Sequence, residues 1–196
     1  MRYLIVCGGK IDKEFGLNEI KTDGIDAIIA ADSGMDFLYE NGVTPDIIVG
    51  DFDSATTKAL DFFERKGQTE IHRLNPIKDD TDTEYAIRLA IREGARSIVV
   101  LGATGSRIDH VLGNISLLGI GLESKTDISI IDTNNRIRMA DKPVTIEKSA
   151  QYGRFVSLIA VTDDNEVSLK GFKYPVTDYS FDRFTSLGIS NEIVDD

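Results

Sequence analysis

The chain has 196 residues, 41% of them hydrophobic and 28% charged, enough apolar material for one ordinary domain or two small ones and too much for a disordered chain. A net charge of −11 argues against nucleic acid or an anionic membrane surface as a partner. The single cysteine, Cys7, excludes an internal disulfide, and its place in the apolar run "YLIVC" makes it a packing residue.

In chain order, "YLIVCGG", "DAIIAADSG", "PDIIVGD", "TEIHRL" and "RSIVVLGATG" read as strands. Between them "GMDFLYENG", "TTKALDFFERKG" and "TEYAIRLAIREG" carry apolar residues at three- and four-residue spacing, and the last two stop at Gly67 and Gly94. "DHVLGNISLLGIGLES" closes the series as a helix. This alternation predicts an α/β domain over residues 1–125, a mostly parallel sheet with helices on both faces. From 126 to 196, "DISIIDTNNRIRMA", "VTIEK", "RFVSLIAVT" and "EVSLKGFKYPVT" alternate apolar and polar residues around turn signals such as Thr133-Asn134-Asn135. They predict a smaller, antiparallel all-β domain. "MRYLIVCGGK" has no secretion-signal pattern and "VLGNISLLGIGL" is too short to span a bilayer, so a soluble, cytoplasmic protein is expected.

Ligands of open α/β sheets bind beyond the carboxyl ends of the strands, and polar clusters fall there. "AADSG" puts Asp32 after the second strand, and "GDFDS" puts Asp51 and Asp53 after the third. On an extended chain residues at i and i+2 share a face, where two carboxylates repel unless water, a cation or a proton relieves them. A solvated turn is the plain alternative. The stretch from Thr44 to Glu84 carries ten acidic and five basic residues, a surplus suited to a cation site. In "LNPIKDDTDTEYAI", Thr81 and Glu84 have capping-box spacing and acidic residues suit the positive end of a helix, so a plain helix start is the alternative reading of Thr81, Asp82 and Glu84. Lys78 among these acids suits a metal–phosphate site, where carboxylates take the cation and a lysine takes phosphate oxygens. "GATGSRIDH" places glycines, Thr104 and Arg107 between a strand and a helix, a phosphate-compatible turn that is not a Walker loop. Asp109 is read as a helix cap or as a partner orienting Arg107, and His110 as packed or solvated.

"ADSG", "PDIIVGDFDS", "KDDTDTEYAI" and "GATGSRIDHVLGNISLL", followed by "GFKYPV" and "SLGISNE", occur in this order. Together they resemble the thiamin pyrophosphokinase family over nearly the whole chain. The resemblance implies an α/β domain followed by a β-sandwich-like domain, and a homodimer with active sites at the subunit interface. It further implies pyrophosphoryl transfer from ATP to thiamin, giving thiamin diphosphate and AMP. Carried over by position, it makes Asp32, Asp51, Asp53, Asp82 and Arg107 catalytic, with Mg²⁺ on Asp51, Asp53 and Asp82. ATP is expected at Lys78, Thr81, Asp82, Thr104, Gly105, Arg107 and Asp109, and thiamin at Ser190 and Asn191. Relatives usually continue past the "SNE" segment into a final strand, whereas this sequence ends at Asp196. Other readings are a pyrophosphokinase for another alcohol such as a hydroxymethyl pterin, a metal-dependent phosphohydrolase, and a noncatalytic nucleotide sensor.

Overall fold

The computed structural model describes residues 1–52, 57–75 and 80–195. The chain divides into two compact units, Met1–Asp141 and Lys142–Asp196.

The first unit is built on a seven-stranded sheet in the order β4-β3-β2-β1-β5-β6-β7. Its strands are β1 (Arg2–Val6), β2 (Ala27–Ala31), β3 (Ile47–Gly50), β4 (Glu70–Arg73), β5 (Ser97–Leu101), β6 (Asp127–Ile131) and β7 (Arg136–Arg138). The strands from β1 to β6 pair in parallel and β7 closes the edge antiparallel to β6. Between them run α1 (Lys13–Ile20), α2 (Gly34–Glu40), α3 (Thr57–Lys66), α4 (Asp82–Arg92) and α5 (Ile108–Ser124).

Alternate residues of each strand serve opposite faces. Tyr3, Ile5, Ile29, Val49, Ile98 and Val100 form one core with Ala86, Ile87 and Ala90 of α4 and Leu118 of α5. Leu4, Val6, Ala30, Ile48 and Leu101 form the other with Met35 and Leu38 of α2 and Phe63 of α3. Complete burial of a side chain such as Ile5 or Phe63 contributes about 1.5–3 kcal/mol relative to exposure. The expected helix stops hold, with Gly67 directly after α3 and Gly94 just past Glu93, the C-cap of α4, both at positive φ.

The sequence-based reading needs correction in several places. The boundary expected after residue 125 falls later, because β6 adds in parallel to β5, with Ile98 opposite Ile128, and carries β7 with it. Helix α1 was not expected; Asp12 caps it, its Oδ1 accepting the Phe15 N–H at 2.9 Å. In the second unit the expected β structure is a small antiparallel sheet of β8 (Asn165–Leu169) and β9 (Val176–Phe181). "VTIEK" forms no strand among the described residues, and "RFVSLIAVT" contributes only the bridge from Val156 to Asn191. Among the described residues no helix is long and apolar enough to cross a membrane.

The order of the sheet fixes where a site forms. The chain steps outward from β1 through β4, then returns to the other side of β1 with β5. The topological switch point therefore falls between β1 and β5, and open α/β sheets bind ligands beyond the carboxyl ends of the strands at such a point.

Candidate active site

Asp32 follows β2, Asp51 follows β3, and Asp82 opens α4, which packs across β1, β2 and β3. One carboxylate oxygen of each lies within 4.8 Å of the others, and each residue is partly buried. Asp82 is set by a local device: Thr81 caps α4, its Oγ1 accepting the Glu84 N–H at 3.2 Å. The Glu84 carboxylate reaches forward to Arg88 one turn on.

The backbone around this cluster is unusual. Asp32 has φ 49° and Phe52 has φ 63°, left-handed values that ordinary side chains avoid and that gather at functional sites. The Asp32 N–H donates to the Val49 carbonyl at 2.8 Å, which ties the turn after β2 to β3. Because β3 ends at Gly50 and Phe52 is left-handed, the expected extended run through Asp51 does not form. Asp51 meets Asp32 and Asp82 across the strand ends instead. Asp53 and Lys78, both expected in the site, lie outside the described residues.

A second polar group lies at the same end of the sheet. Gly102 has φ 68°, and a Cβ there would sit 2.3 Å from the Cys7 carbonyl oxygen, so only glycine brings the turn after β5 this close to β1. The Gly9 N–H donates to the Gly102 carbonyl at 2.9 Å and joins the two loops. Thr104 donates its hydroxyl to Asp132 Oδ2 at 2.8 Å, and Asn114 Nδ2 donates to the Ala103 carbonyl at 2.8 Å. Gly105 is exposed. Arg107 stands at the start of α5 and makes a two-point ion pair with Asp109, at 3.2 and 2.7 Å. Asp109 Oδ1 also accepts the His110 N–H at 2.9 Å, so from within the first turn of α5 it satisfies one main-chain N–H and orients Arg107, while the N-cap position is Arg107 itself. Those contacts, the Arg107 guanidinium foremost, hold its carboxyl at about 2. His110 is exposed. Cys7 is buried, with its thiol 3.4 Å from the Thr83 hydroxyl. Burial pushes that thiol up to about 11, so it stays protonated at neutral pH.

Asp132 and Asn114 were missed from the sequence. The signal for Asp132 is its place directly after β6, the same position that Asp32 and Asp51 hold after β2 and β3, and the alternating pattern of β6 masks it.

Within the second unit, an apolar cavity of about 180 Å³ is lined by residues including Leu169, Tyr174, Phe181, Leu187 and Asn191. Asn191 is buried. Its Oδ1 accepts the N–H groups of Tyr174 and Glu192 and its Nδ2 donates to the Tyr174 carbonyl. Ser190 is exposed with φ 62°, and its N–H donates to Ser157 Oγ at 3.0 Å.

Family models match both parts of the chain in order. Residues 21–131 match the thiamin pyrophosphokinase catalytic domain, and 143–196 match the thiamin pyrophosphokinase vitamin B1 binding domain. The thiamine pyrophosphokinase of Bacillus subtilis (strain 168) is 36% identical over 168 residues, 85% of this chain and 78% of that one. A crystal structure of thiamine pyrophosphokinase from Bacillus subtilis superposes with a TM-score of 0.87 at 33% identity, covering 99% of this chain and 90% of that one. The thiamin pyrophosphokinase structure from Geobacillus thermodenitrificans gives 0.79 at 30% identity, with 99% and 89% covered. Matched in order along both units and sharing its fold with these relatives over nearly its full length, the chain belongs to the thiamin pyrophosphokinase family and is an enzyme of that kind.

Proposed function

We propose that the enzyme transfers the pyrophosphoryl group of ATP to the hydroxyethyl oxygen of thiamin at the carboxyl end of the first unit's sheet. A new bond forms between that oxygen and the β-phosphorus. The bridging bond from the α-phosphate to the β-phosphorus breaks, and AMP leaves with the bridge oxygen. The hydroxyl proton passes to a carboxylate of the aspartate cluster.

The observation that carries this reading is the convergence of Asp32, Asp51 and Asp82, from three separate segments, to within 4.8 Å. Such a set of hard oxygen donors suits Mg²⁺, which takes carboxylates and substrate phosphates and keeps waters. Asp32 therefore joins Asp51 and Asp82 as a metal-holding residue, with Asp53 of the sequence motif as a further candidate. A bound Mg²⁺ would neutralise charge on the phosphate oxygens. The protein's own contribution is positioning and charge. Thr81 fixes Asp82 at the head of α4, Asp109 holds the Arg107 guanidinium ready for a phosphate, and the turn from Gly102 to Gly105 allows close backbone approach. Lys78 is proposed as a further phosphate partner on sequence grounds.

Thiamin as acceptor is supported by the vitamin B1 binding model over residues 143–196, which weighs against a pterin alcohol. Ser190, with its exposed hydroxyl side chain, is the proposed thiamin contact. Asn191 spends its amide on Tyr174 and Glu192 and is proposed to shape the cavity.

A homodimer is also proposed. In the second unit Phe155, Ile159, Tyr174, Phe184 and Leu187 are each more than half exposed, a concentration of apolar surface that marks an association site.

Incubation with ATP, Mg²⁺ and thiamin is expected to give AMP and thiamin diphosphate in equal amounts. Asp51→Asn is expected to abolish both while the circular dichroism spectrum is kept. Phosphate release without thiamin would favour the hydrolase reading, and near-normal turnover in Asp51→Asn would remove Asp51 from the metal site.

A further inference from the structure

The turn from Gly102 to Gly105 is held by two side chains to which the sequence motifs assign no role. On one side, Asn114 of α5 donates its Nδ2 to the Ala103 carbonyl at 2.8 Å. A trans peptide sets its C=O and N–H in opposite directions, and the chain contains no cis bond among the described residues. Anchoring the Ala103 oxygen toward α5 therefore turns the Thr104 N–H away from α5. On the other side, Thr104 gives its hydroxyl proton to Asp132 Oδ2 at 2.8 Å. Asp132 is itself set by the turn after β6, where its Oδ1 accepts the N–H groups of Asn134 and Asn135, both at 2.8 Å, and its own N–H donates to the Asn135 carbonyl.

A hydroxyl has one proton to donate. With that proton committed to a carboxylate, the Thr104 side chain does not donate to a phosphate in this arrangement, and the loop has its main-chain N–H groups to offer. Glycine-containing turns at the start of a helix bind anions in that way.

We infer that Asn114 and Asp132 are positioning residues for ATP, which act by clamping the two sides of this turn so that its backbone amides face the nucleotide phosphates. The inference rests on the reading that this loop receives ATP.

Steady-state kinetics with ATP and thiamin varied separately test it. Asp132→Ala is expected to raise the KM for ATP about tenfold and leave the KM for thiamin within about twofold, a split that general destabilisation would not produce. Thr104→Val should give a similar rise, and the double variant should be no worse than the poorer single, because both break one contact. Asp132→Asn keeps one oxygen for the Asn134 and Asn135 N–H groups and can donate its Nδ2 to the Thr104 oxygen, so the contact persists with its direction reversed and most of the ATP affinity should be kept. Should Asp132→Ala fail to fold, Asn114→Ala keeps a good helix former in α5 and should raise the ATP KM about fivefold. An unchanged ATP KM in Asp132→Ala or Asn114→Ala, or additive losses in the double variant, would overturn the inference. Arg107→Ala separates the two levels. If it weakens ATP while the Asn114 and Asp132 variants do not, the clamp is wrong and the loop assignment stands. If it too leaves ATP untouched, the loop is not the nucleotide site and the inference falls with it.

Discussion

Arg107 and Asp109 show how two exposed charges become a prepared phosphate contact. Both side chains are about two-thirds exposed, so the pair adds little to stability. Its value is geometric, since the guanidinium is held by two hydrogen bonds before substrate arrives. A carboxyl held low is charged throughout the neutral range. The ion pair is therefore complete above about pH 4 and is lost only as the pH falls through the folded value of about 2. Carboxyl-carbon NMR titration is expected to place Asp109 near 2 in the native protein and, in Arg107→Ala, to move it up toward its ordinary 3.8. An unchanged midpoint in that variant would show that the guanidinium is not what holds it. The same substitution is expected to cost about 2–4 kcal/mol of transition-state stabilisation, as removal of a charge-stabilising donor does elsewhere.

At the scale of elements, the site depends on how helices and strands end. The hydroxyl cap of Thr81 on α4 both stabilises the helix and places Asp82. Thr81→Ala is expected to lower stability by about 1 kcal/mol, read by denaturant unfolding, and to reduce turnover by more than that loss of folded protein explains. Turnover that falls only in step with the folded fraction would make the cap purely structural. This scale also explains what the sequence could and could not reveal. Strand ends carrying Asp32 and Asp51, and the helix start carrying Asp82, were legible because near-continuous apolar runs mark strands covered on both faces. Strand β6 is different. Asp127 and Ser129 share a polar, open recess of about 140 Å³ with Arg2, Ser97 and Arg138, while Ile128 and Ile130 are buried on the other face. One wet face gives this parallel strand the alternation of an antiparallel one, so its pattern points to the second domain and hides Asp132. Helix α1 was hidden for another reason. Its Gly16 weakens the helical signal but is required by packing, since a Cβ there would meet Ile11 and Phe37 at 2.6 and 2.7 Å.

For the whole molecule, the two units differ in how much they bury. The first has two continuous apolar cores. The second, residues 142–196, contributes only Phe181 and Ile193 to the buried hydrophobic residues described, while Phe184 is 90% and Ile159 73% exposed. Covering that surface with a second copy would bury apolar area that a lone chain leaves in water. Light scattering is expected to give twice the chain mass of 21.6 kDa, and Phe184→Asp is expected to shift the protein toward monomer with loss of turnover. A monomeric, fully active native protein would remove the dimer from the mechanism.

In the proposed reaction Asp32, Asp51 and Asp82 together hold the divalent ion used in pyrophosphoryl transfer, and Mn²⁺ as a paramagnetic stand-in for Mg²⁺ tests this most directly. Titration followed by electron paramagnetic resonance should show saturable uptake by the native enzyme. Asp32→Asn, Asp51→Asn and Asp82→Asn should each weaken that uptake by about tenfold or more. Equal Mn²⁺ binding by the native protein and all three variants would contradict the claim.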